Sequence, residues 1–270
     1  MPLPLENKVA FITGAGSGLG AATARRLAAD GAIIAANDLD PAAAEATALA
    51  TGGIALPFDV TDPSAFDAAV DECVASLGSL DIMVNNAGIA PQNVSDKIER
   101  TVANQMKRME GRISEIEPMD YLVDLDDQEW DRMIRVHLYG AFHGCRAALR
   151  HMQPRRDGRI VNVSSILGLR PAAGAAHYSA AKAAMIALTK SVASEVAPLG
   201  INVNAVCPGY IDTPLLTPFS EMVRAGITMR IGKGHMGDPD DIAGMIRFLV
   251  GPESSYCTGD VFTVSGGYEG

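Results

Sequence analysis

The run Val9-Ala-Phe-Ile12 followed by Thr13-Gly-Ala-Gly-Ser-Gly-Leu-Gly20 decides the fold of this chain. A short apolar segment gives way to a glycine-rich turn, and an alanine-rich helical pattern begins directly after it. Glycine lets the backbone turn tightly and lets a phosphate approach without a Cβ in the way. Free N–H groups at the start of the next helix suit a pyrophosphate. We therefore interpret the stretch as strand, phosphate-binding turn and helix.

Apolar runs of strand length alternate with helix-length segments over the rest of the chain. The predicted strands are 9–12, 32–36, 54–56, 82–84, 160–163, 201–203 and 261–264, and the predicted helices are about 18–30, 41–50, 63–77, 126–152, 176–197 and 239–250. Short apolar strands separated by helices are typical of parallel strands buried on both faces. The sequence therefore predicts an α/β fold, a single-domain Rossmann-like doubly wound parallel sheet of about seven strands formed by residues 1–270.

Residues 89–125 form an insertion that is longer than a strand-to-helix connection needs. Apolar side chains recur within it at steps of three and four, at Ile98, Val102, Met106, Met109, Ile113 and Ile116. This spacing predicts a helical insertion after the fourth strand, weakened near Gly111 and ended by Pro118. The helix either packs on the domain or a neighbouring subunit, or covers the substrate cleft.

The composition excludes several classes of protein. Hydrophobic residues make up 48% and charged residues 20% of the 270 residues, which is a globular balance. The net charge of −10 argues against a nucleic-acid surface, which needs clustered Lys and Arg. No segment reaches the roughly 18 apolar residues of a membrane span, and residues 1–8 do not resemble a signal peptide. We therefore expect a cytoplasmic protein with a small-molecule substrate and no nucleic-acid or membrane partner.

The four cysteines, Cys73, Cys145, Cys207 and Cys257, lie far apart and form no CxxC or ligand-spaced pair. This pattern predicts thiols in a reducing compartment, without a disulfide framework or a metal site.

A carboxylate after the second strand bears on which dinucleotide binds. Asp38 follows the glycine-rich turn by about twenty residues, where a carboxylate accepts hydrogen bonds from a ribose diol and repels a 2′-phosphate. No Arg or Lys occurs between Asp30 and Pro63 to balance such a phosphate. The nearby Asp40 competes for this role, but strand length favours Asp38. NAD is therefore the predicted cofactor.

Tyr178 and Lys182 are the strongest catalytic candidates. At positions i and i+4 they share one face of a predicted helix. A phenol has a pKa near 10, and neighbouring cations stabilise the phenolate and lower that value. Ser165 follows the predicted strand 160–163, where its hydroxyl could hold the oxygen of a substrate.

Taken together, these motifs make the whole chain resemble the short-chain dehydrogenase/reductase family. The matching segments are Thr13 to Gly20, Asp59-Val60, Asn85-Asn-Ala-Gly88, Ser165, Tyr178-x-x-x-Lys182 and Pro208-Gly209 with Thr213. They occur in the family's order, and Ser165 and Tyr178 are separated by thirteen positions, as in the family.

The resemblance implies roles for the matched positions. Tyr178 would be the general acid/base, Lys182 would lower the pKa of Tyr178 and hold the nicotinamide ribose, and Ser165 would bind the reacting oxygen. The cofactor would be bound by Gly14, Ser17, Gly18, Leu19, Gly20, Asp38, Leu39, Asp59, Val60, Asn86, Ala87, Gly88, Tyr178, Lys182, Pro208, Gly209, Ile211 and Thr213. The resemblance also implies a homotetramer formed through the helices 126–152 and 176–197 and the last strand.

His137 departs from the family pattern. The family usually carries a catalytic Asn seven residues after the position of Trp130, and this chain has His137 there. That Asn helps to hold a water that relays protons from the lysine. A histidine can also donate and accept protons, so His137 is either a member of the relay or a structural residue.

The segment from Tyr210 to Met236 matches the loop that covers the substrate in this family. It carries Leu215, Leu216, Phe219, Met222, Met229 and Met236. Such side chains adapt to irregular apolar shapes, which favours a hydrophobic or aromatic secondary alcohol or its ketone. Alternatively, several of them contact another subunit.

Three functions remain open. The preferred one is an NAD-dependent oxidoreductase that moves a hydride between nicotinamide and a secondary alcohol or ketone. The second is a reductase of carrier-bound 3-oxoacyl groups, a class that usually prefers NADPH, which Asp38 opposes. The third is a non-enzymatic NAD-sensing protein on the same fold, which the presence of Ser165, Tyr178 and Lys182 disfavours.

Overall fold

Seven parallel strands form one sheet in the computed structural model, which describes residues 3–91, 95–217 and 219–268. The strands are β1 (Val9–Ile12), β2 (Ile33–Ala36), β3 (Ile54–Ala55), β4 (Ile82–Asn85), β5 (Gly158–Val163), β6 (Ile201–Pro208) and β7 (Val261–Val264). Their spatial order is β3-β2-β1-β4-β5-β6-β7. The prediction of a Rossmann-like doubly wound sheet is confirmed, and its strands β1, β4 and β6 are buried along their whole length.

Helices flank the sheet. They are α1 (Gly18–Ala29), α2 (Pro41–Thr51), α3 (Pro63–Leu77), α4 (Ser95–Met109), α5 (Asp127–Ile134), α6 (Gly140–Arg155), α7 (Ala176–Val196), α8 (Glu221–Thr228) and α9 (Pro239–Val250). Three of them begin at an Asp-Pro pair, in which Asp40, Asp62 and Asp238 accept backbone N–H groups of the first turn. The proline fits because its missing N–H would have no partner there.

Two apolar layers hold the helices against the sheet. On one face, Leu27 of α1 and Ile246 of α9 pack with Ile12 of β1. On the other face, side chains of α3, α6 and α7 pack against Phe11 and Ile160. A layer on each face explains why the central strands read as unbroken apolar runs.

The helix in the insertion is shorter than the spacing predicted. α4 ends at Met109, before Gly111, whose φ of +76° continues the chain in a left-handed conformation. Glycine adopts this conformation without strain, so Gly111 ends the helix, and the prediction that Pro118 ends it is wrong. Met106 and Met109 are exposed, and the apolar stripe is therefore only partly covered.

Two further differences from the predicted elements concern length and type. β6 runs from Ile201 to Pro208, beyond the predicted 201–203. Its polar side chains do not end the strand, because they are buried and hydrogen-bonded. Asn204 Nδ2, for example, donates to Cys257 O, which precedes β7, at 2.8 Å. The predicted covering loop 210–236 contains the helix α8. Among the described residues, no helix has the length and apolar character that crossing a membrane requires.

Candidate active site

The loops that leave β1, β4, β5 and β6 meet at one edge of the sheet. The strand order reverses between β1 and β4, and a crevice opens at such a point beyond the carboxyl ends of the strands. A cleft of about 550 Å³ lies there, and Gly14, Asn86, Ser165 and Gly209, one from each loop, line it. Residues distant in the sequence are therefore adjacent in this cleft.

The glycine-rich turn forms one end of the cleft and is fixed by Asp38. The Asp38 carboxylate accepts the N–H of Gly16 at 2.9 Å, and a Cβ on Gly16 would lie 2.7 Å from Asp38 Oδ2. Only glycine leaves room for this approach. Ser17 is the N-cap of α1 and makes no side-chain capping bond, so the first N–H groups of α1 remain directed at the cleft. These groups fit a dinucleotide pyrophosphate.

The structure separates the roles of the two competing carboxylates. Asp40 caps α2 by accepting the N–H of Ala42 at 3.0 Å, whereas Asp38 lines the cleft. A carboxylate beside the pyrophosphate turn fits the diol of an adenosine ribose.

Most of the predicted cofactor residues line the cleft together. They are Gly14, Ser17, Gly18, Leu19, Asp38, Asn86, Gly88, Tyr178, Lys182, Pro208, Gly209, Ile211 and Thr213. The remaining five, Gly20, Leu39, Asp59, Val60 and Ala87, are not among the lining residues. Leu39 is 72% exposed, and Asp59 accepts the N–H of Thr61 in a turn. Their role in binding the cofactor stays a prediction.

Ser165, Tyr178 and Lys182 come together on the other side of the cleft. Ser165 follows β5 and its Oγ accepts the N–H of Leu167 at 3.1 Å, which fixes the side chain. Tyr178 and Lys182 lie one turn apart on α7, and the Ser165 hydroxyl lies close enough to Tyr178 to act on the pKa of its phenol. Lys182 Nζ donates to Val163 O at 2.7 Å and lies 5.7 Å from the centre of the Tyr178 ring.

Burial is the largest influence on the pKa values of Tyr178 and Lys182. Burial raises the pKa of Tyr178, and the hydrogen bond with Ser165 opposes that rise. Burial lowers the pKa of Lys182 to about 7, against a small opposite effect of Cys207. Lys182 therefore exchanges its proton near neutral pH. The phenol needs a further positive charge to lose its proton there, and an oxidised nicotinamide carries one.

His137 lies at the base of the same cleft, inside a π-helical turn (Arg135–Tyr139) that joins α5 to α6. Its Nε2 is 3.3 Å from the N and 3.1 Å from the O of Ile89, so the tautomer decides which bond forms. The ring stands edge-on to the Tyr178 ring at 5.2 Å. A Cβ on Gly88 would lie 2.7 Å from His137 Cε1, so this ring requires glycine at 88. Burial, followed by the charge of Lys182, lowers the pKa of His137 well below its usual range, which keeps the ring neutral.

The insertion supplies one wall of the cleft. Thr101, Val102 and Gln105 of α4, together with Tyr121, line the cleft. Asn104 fastens this wall, because its Nδ2 donates to Glu117 O at 2.7 Å and its Oδ1 accepts the N–H of Glu117 at 3.0 Å. Within this chain the insertion thus lines the cleft, and its contact with a neighbouring subunit stays a prediction.

The opposite wall is apolar but differs from the methionine-rich prediction. Leu215, Leu216 and Phe219 line it as predicted, and α8 adds Val223 and Ile227. Met229 is 83% exposed and Met236 packs against the buried cluster of Ile166, Ile231 and Tyr268, and neither is among the lining residues. The sequence analysis assigned no helix to this loop, and the lining residues Val223, Gly226 and Ile227 of α8 were therefore missed.

Three more lining residues were missed by sequence reasoning: Tyr210, Arg230 and Tyr268. They are far apart in the chain, and only the fold brings them together. No group of three or more His, Cys, Asp or Glu in the described part of the chain could hold a metal ion, and the four cysteines are free.

Known proteins resemble this chain over almost its full length. A family model described as short chain dehydrogenase matches residues 8–110, and one described as enoyl-(acyl carrier protein) reductase matches residues 115–269. The 3-oxoacyl-[acyl-carrier-protein] reductase FabG of Escherichia coli (strain K12) is 35% identical over 264 residues, which cover 97% of each chain. The cis-4-hydroxycyclohexanecarboxylate dehydrogenase of Sinomonas cyclohexanicum is 40% identical over 265 residues, which cover 97% of this chain and 96% of the relative. A crystal structure described as ribose-5-phosphate isomerase from Brucella melitensis 16M superposes with a TM-score of 0.85 at 32% identity, covering 99% of this chain and 94% of the other.

Proposed function

The chain belongs to the short-chain dehydrogenase/reductase family and is an oxidoreductase of that family, and we propose that it transfers a hydride between NAD and a carbon that alternates between secondary alcohol and ketone. The observation that carries this proposal is the joining of Ser165, Tyr178 and Lys182 with the glycine-rich turn in one cleft. A protein that only senses a dinucleotide has no need of the first three.

The side chains on this side of the cleft account for the proton that accompanies the hydride. The nicotinamide, when bound, supplies or accepts the hydride. In the reductive direction, the Tyr178 hydroxyl donates its proton to the developing alkoxide, which Ser165 holds by a hydrogen bond. Lys182 then returns a proton toward the phenolate, because its pKa of about 7 allows it to exchange near neutral pH.

The choice of NAD is supported by Asp38. Its carboxylate lines the cleft beside the pyrophosphate turn and would lie close to a 2′-phosphate. No Lys or Arg between Asp30 and Pro63 offsets the resulting repulsion.

The comparisons support 3-oxoacyl reduction better than the general hydrophobic alcohol that the sequence analysis preferred. The Escherichia coli relative is named for that activity. The family model that matches residues 115–269 is also described as a reductase of an acyl carrier protein derivative. We therefore propose ketones that carry an acyl or carboxylate group as the substrate class. A second candidate, oxidation of a cyclic hydroxy acid, is favoured by the relative from Sinomonas cyclohexanicum.

The first experiment follows reduced nicotinamide spectrophotometrically with three substrates: a 3-oxoacyl thioester, 4-hydroxycyclohexanecarboxylate and a neutral secondary alcohol. Each is offered with the NAD and the NADP couple. Tyr178→Phe should keep cofactor binding and lower kcat by about 100-fold or more, since proton transfer by a positioned group contributes about 10²–10⁴-fold. Tyr256→Phe is the matched control, because Tyr256 is fully exposed and does not line the cleft. Equal turnover by the two variants would reject Tyr178 as the acid/base.

The cofactor is tested by Asp38→Ala combined with Leu39→Arg. Removing the carboxylate and adding a cation should shift the ratio of kcat/KM values toward NADP. Asp40→Ala is the control, because Asp40 caps α2 and does not line the cleft. A ratio that stays unchanged in the double variant would reject the role assigned to Asp38.

A further inference from the structure

One cationic side chain stands at the substrate side of the cleft. Of the described residues that line the cleft, Asp38 lies at the dinucleotide end and Lys182 in the catalytic group, and Arg230 is the remaining formally charged side chain. Apolar side chains, Leu216 and Ile227 among them, line the same cleft as Arg230. A charge at the rim of an apolar pocket is suited to fixing one end of a ligand.

Aromatic side chains hold Arg230 in place. Its guanidinium carbon lies 5.2 Å from the centre of the Tyr268 ring, and the Tyr268 ring lies 5.2 Å from the Tyr210 ring. Tyr268 is buried, and the guanidinium of Arg170 donates to its backbone O. Stacking on a fixed ring restricts the guanidinium without using its N–H donors.

Tyr210 connects this cation to the catalytic group. Burial raises the pKa of Tyr210, the Tyr268 phenol adds to that rise, and Arg230 opposes it. Tyr178 is also close enough to act on Tyr210. The Tyr210 ring thus contacts the Tyr268 ring on which Arg230 stacks, and Tyr210 and Arg230 line the same cleft as Tyr178.

Arg230 has no acidic partner among the described residues. Arg224, on the preceding turns of α8, shows the contrast, because its guanidinium binds Asp212 at 2.6 Å. Arg170 and Lys233, which contact the segment around Tyr268 through their side chain and backbone respectively, also form no ion pair within the described residues. Within residues 3–91, 95–217 and 219–268, these three cations thus form no ion pair, and Arg230 is the one among them that lines the cleft.

We infer that Arg230 binds an oxyanion, a carboxylate or a phosphate, at the end of the substrate remote from the reacting carbon. The inference rests on the proposed function and specifies its substrate class: a ketone or secondary alcohol with an apolar body and an anionic end. The planar guanidinium donates two parallel N–H bonds to such groups. The charge is exposed, and salt therefore screens it.

The carboxylate is tested with a matched pair of ketones, 4-oxocyclohexanecarboxylate and its methyl ester. Arg230→Met should lower kcat/KM for the acid by about tenfold or more, because charge-assisted hydrogen bonds are lost, and should change it for the ester by less than about threefold. Arg230→Lys should restore part of the difference. Arg108→Met is the control, since Arg108 is exposed on α4 without lining the cleft. A loss of about tenfold or more that is the same for acid and ester would mean that Arg230 does not recognise the charge of the substrate, and would overturn the inference.

Phosphate is distinguished from carboxylate with two 3-oxoacyl thioesters, the coenzyme A ester and the N-acetylcysteamine ester, which lacks phosphate. A loss in Arg230→Met confined to the coenzyme A ester would assign the site to a phosphate. A loss confined to the keto acid would assign it to a carboxylate. Identical behaviour of all four substrates in wild type and variant would overturn the oxyanion site altogether.

Binding of an unreactive anion separates this inference from the proposed function. Titration calorimetry with cyclohexanecarboxylate, and with cyclohexanecarboxamide as the neutral control, requires no turnover. The acid should bind the enzyme with NADH more tightly than the amide, and Arg230→Met should abolish the difference. If no ketone is turned over and the difference still depends on Arg230, the proposed reaction fails and the anion site stands. If the acid and the amide bind equally while ketones are reduced, the reverse holds.

Discussion

At the scale of single residues, position decides what an identical side chain does. Asp38 and Asp40 are two residues apart, yet Asp38 accepts the N–H of Gly16 at one end of the cleft and Asp40 caps α2. The difference arises because β2 ends at Ala36, which directs Asp38 toward the turn after β1. Sequence reasoning favoured Asp38 for the cleft, and the geometry of the loop gives the reason.

His137 is the residue at which the chain departs from its family, and its surroundings indicate positioning. A neutral ring bonded to the backbone of Ile89 holds the segment after β4 against the π-helical turn. Its Nδ1 is buried and has no protein partner among the described residues. The ring contacts Tyr178 edge-on, so its volume also restricts the position of the Tyr178 phenol.

We expect His137→Asn to keep kcat within about fivefold of wild type. The amide of Asn can make the hydrogen bond to the backbone of Ile89 that the imidazole makes, and the two kinds of hydrogen bond are of similar strength. His137→Ala should lower kcat by more than about tenfold, since it leaves a polar backbone group unpaired. The measurement is the pH profile of kcat together with KM. A histidine ordinarily loses its proton between about pH 6 and 7. Because His137 is already neutral there, the pH profile of kcat for His137→Asn should match that of wild type above about pH 6. A lost inflection in His137→Asn would mean that the histidine titrates during turnover.

At the scale of elements, the insertion is a folded cover fastened at defined points. The α4 helix and residues 112–121 are joined by the Asn104 amide and by the ion pair of Lys107 with Glu117 at 2.8 Å. Tyr121 contacts the loop before α7, where a Cβ on Gly174 would lie 3.0 Å from Tyr121 Cε1. The wall of the cleft thus depends on contacts that cross the insertion.

Asn104→Ala should loosen this cover and leave the sheet unchanged. We expect KM to rise by about threefold or more and kcat to change less, because loss of a buried amide pair costs about 1–3 kcal/mol locally. Hydrogen exchange of the backbone at 113–121 should quicken, while exchange in β4 and β5 should not. Asn104→Asp, which still accepts the N–H of Glu117, is the matched variant and should lie between. Unchanged exchange in Asn104→Ala would show that the amide does not fasten the cover.

At the scale of the whole molecule, the sheet order and its anchors place the active site. Asp81, which precedes β4, ties together distant segments: it accepts the N–H of Val9 at 2.9 Å, the Ser79 hydroxyl at 2.8 Å and the Arg155 guanidinium at 3.1 Å. Burial by itself would raise the pKa of Asp81, but these bonds and the charge of Lys8 hold it below its usual range. β1, β4 and α6 are fixed relative to one another at this carboxylate.

The depressed pKa of Asp81 predicts a pH dependence of stability. The folded state binds fewer protons at Asp81 than the unfolded state, so its contribution is present above the unfolded pKa, near 4, and disappears as the pH falls through the folded value. We expect Asp81→Asn to lower the free energy of unfolding by about 1–3 kcal/mol at neutral pH. The difference from wild type in urea unfolding should shrink below about pH 4.

Asp157→Asn is the control for this experiment. Asp157 binds Lys8 at 3.2 Å, but its side chain is half exposed, and such a pair contributes less than about 1 kcal/mol. A difference between wild type and Asp81→Asn that stays constant down to pH 2, below the usual range of carboxyl groups, would contradict the assigned ionisation.

Assembly also belongs to this scale and stays a prediction. The long helices expected to form a homotetramer expose Tyr139 and Phe142 on one chain. This exposure is compatible with a subunit interface.

The sequence alone determined the fold class and the placement of Tyr178 and Lys182 on one helix, whereas their catalytic roles stay predictions. Periodicity is a local property, so the alternation of short apolar runs and helices predicts a parallel sheet, and the spacing of Tyr178 and Lys182 places both on one face of a helix. The end of the strand likewise puts Asp38 at the glycine-rich turn. The helix and strand patterns are local, since each depends on neighbours within a few residues, whereas the contact of Asp38 with Gly16 also requires β2 to lie beside β1.

The tertiary structure alone decided where the insertion lies and what the substrate end of the cleft contains. Arg230, Tyr268 and Tyr210 come from separate segments and carry no common spacing, so only packing reveals that they meet. The end of α4 at Met109 likewise depended on whether the chain after Gly111 could fold back onto Asn104. Contacts between distant segments leave no periodic trace in a sequence, because their free energy is gained only after the chain has folded.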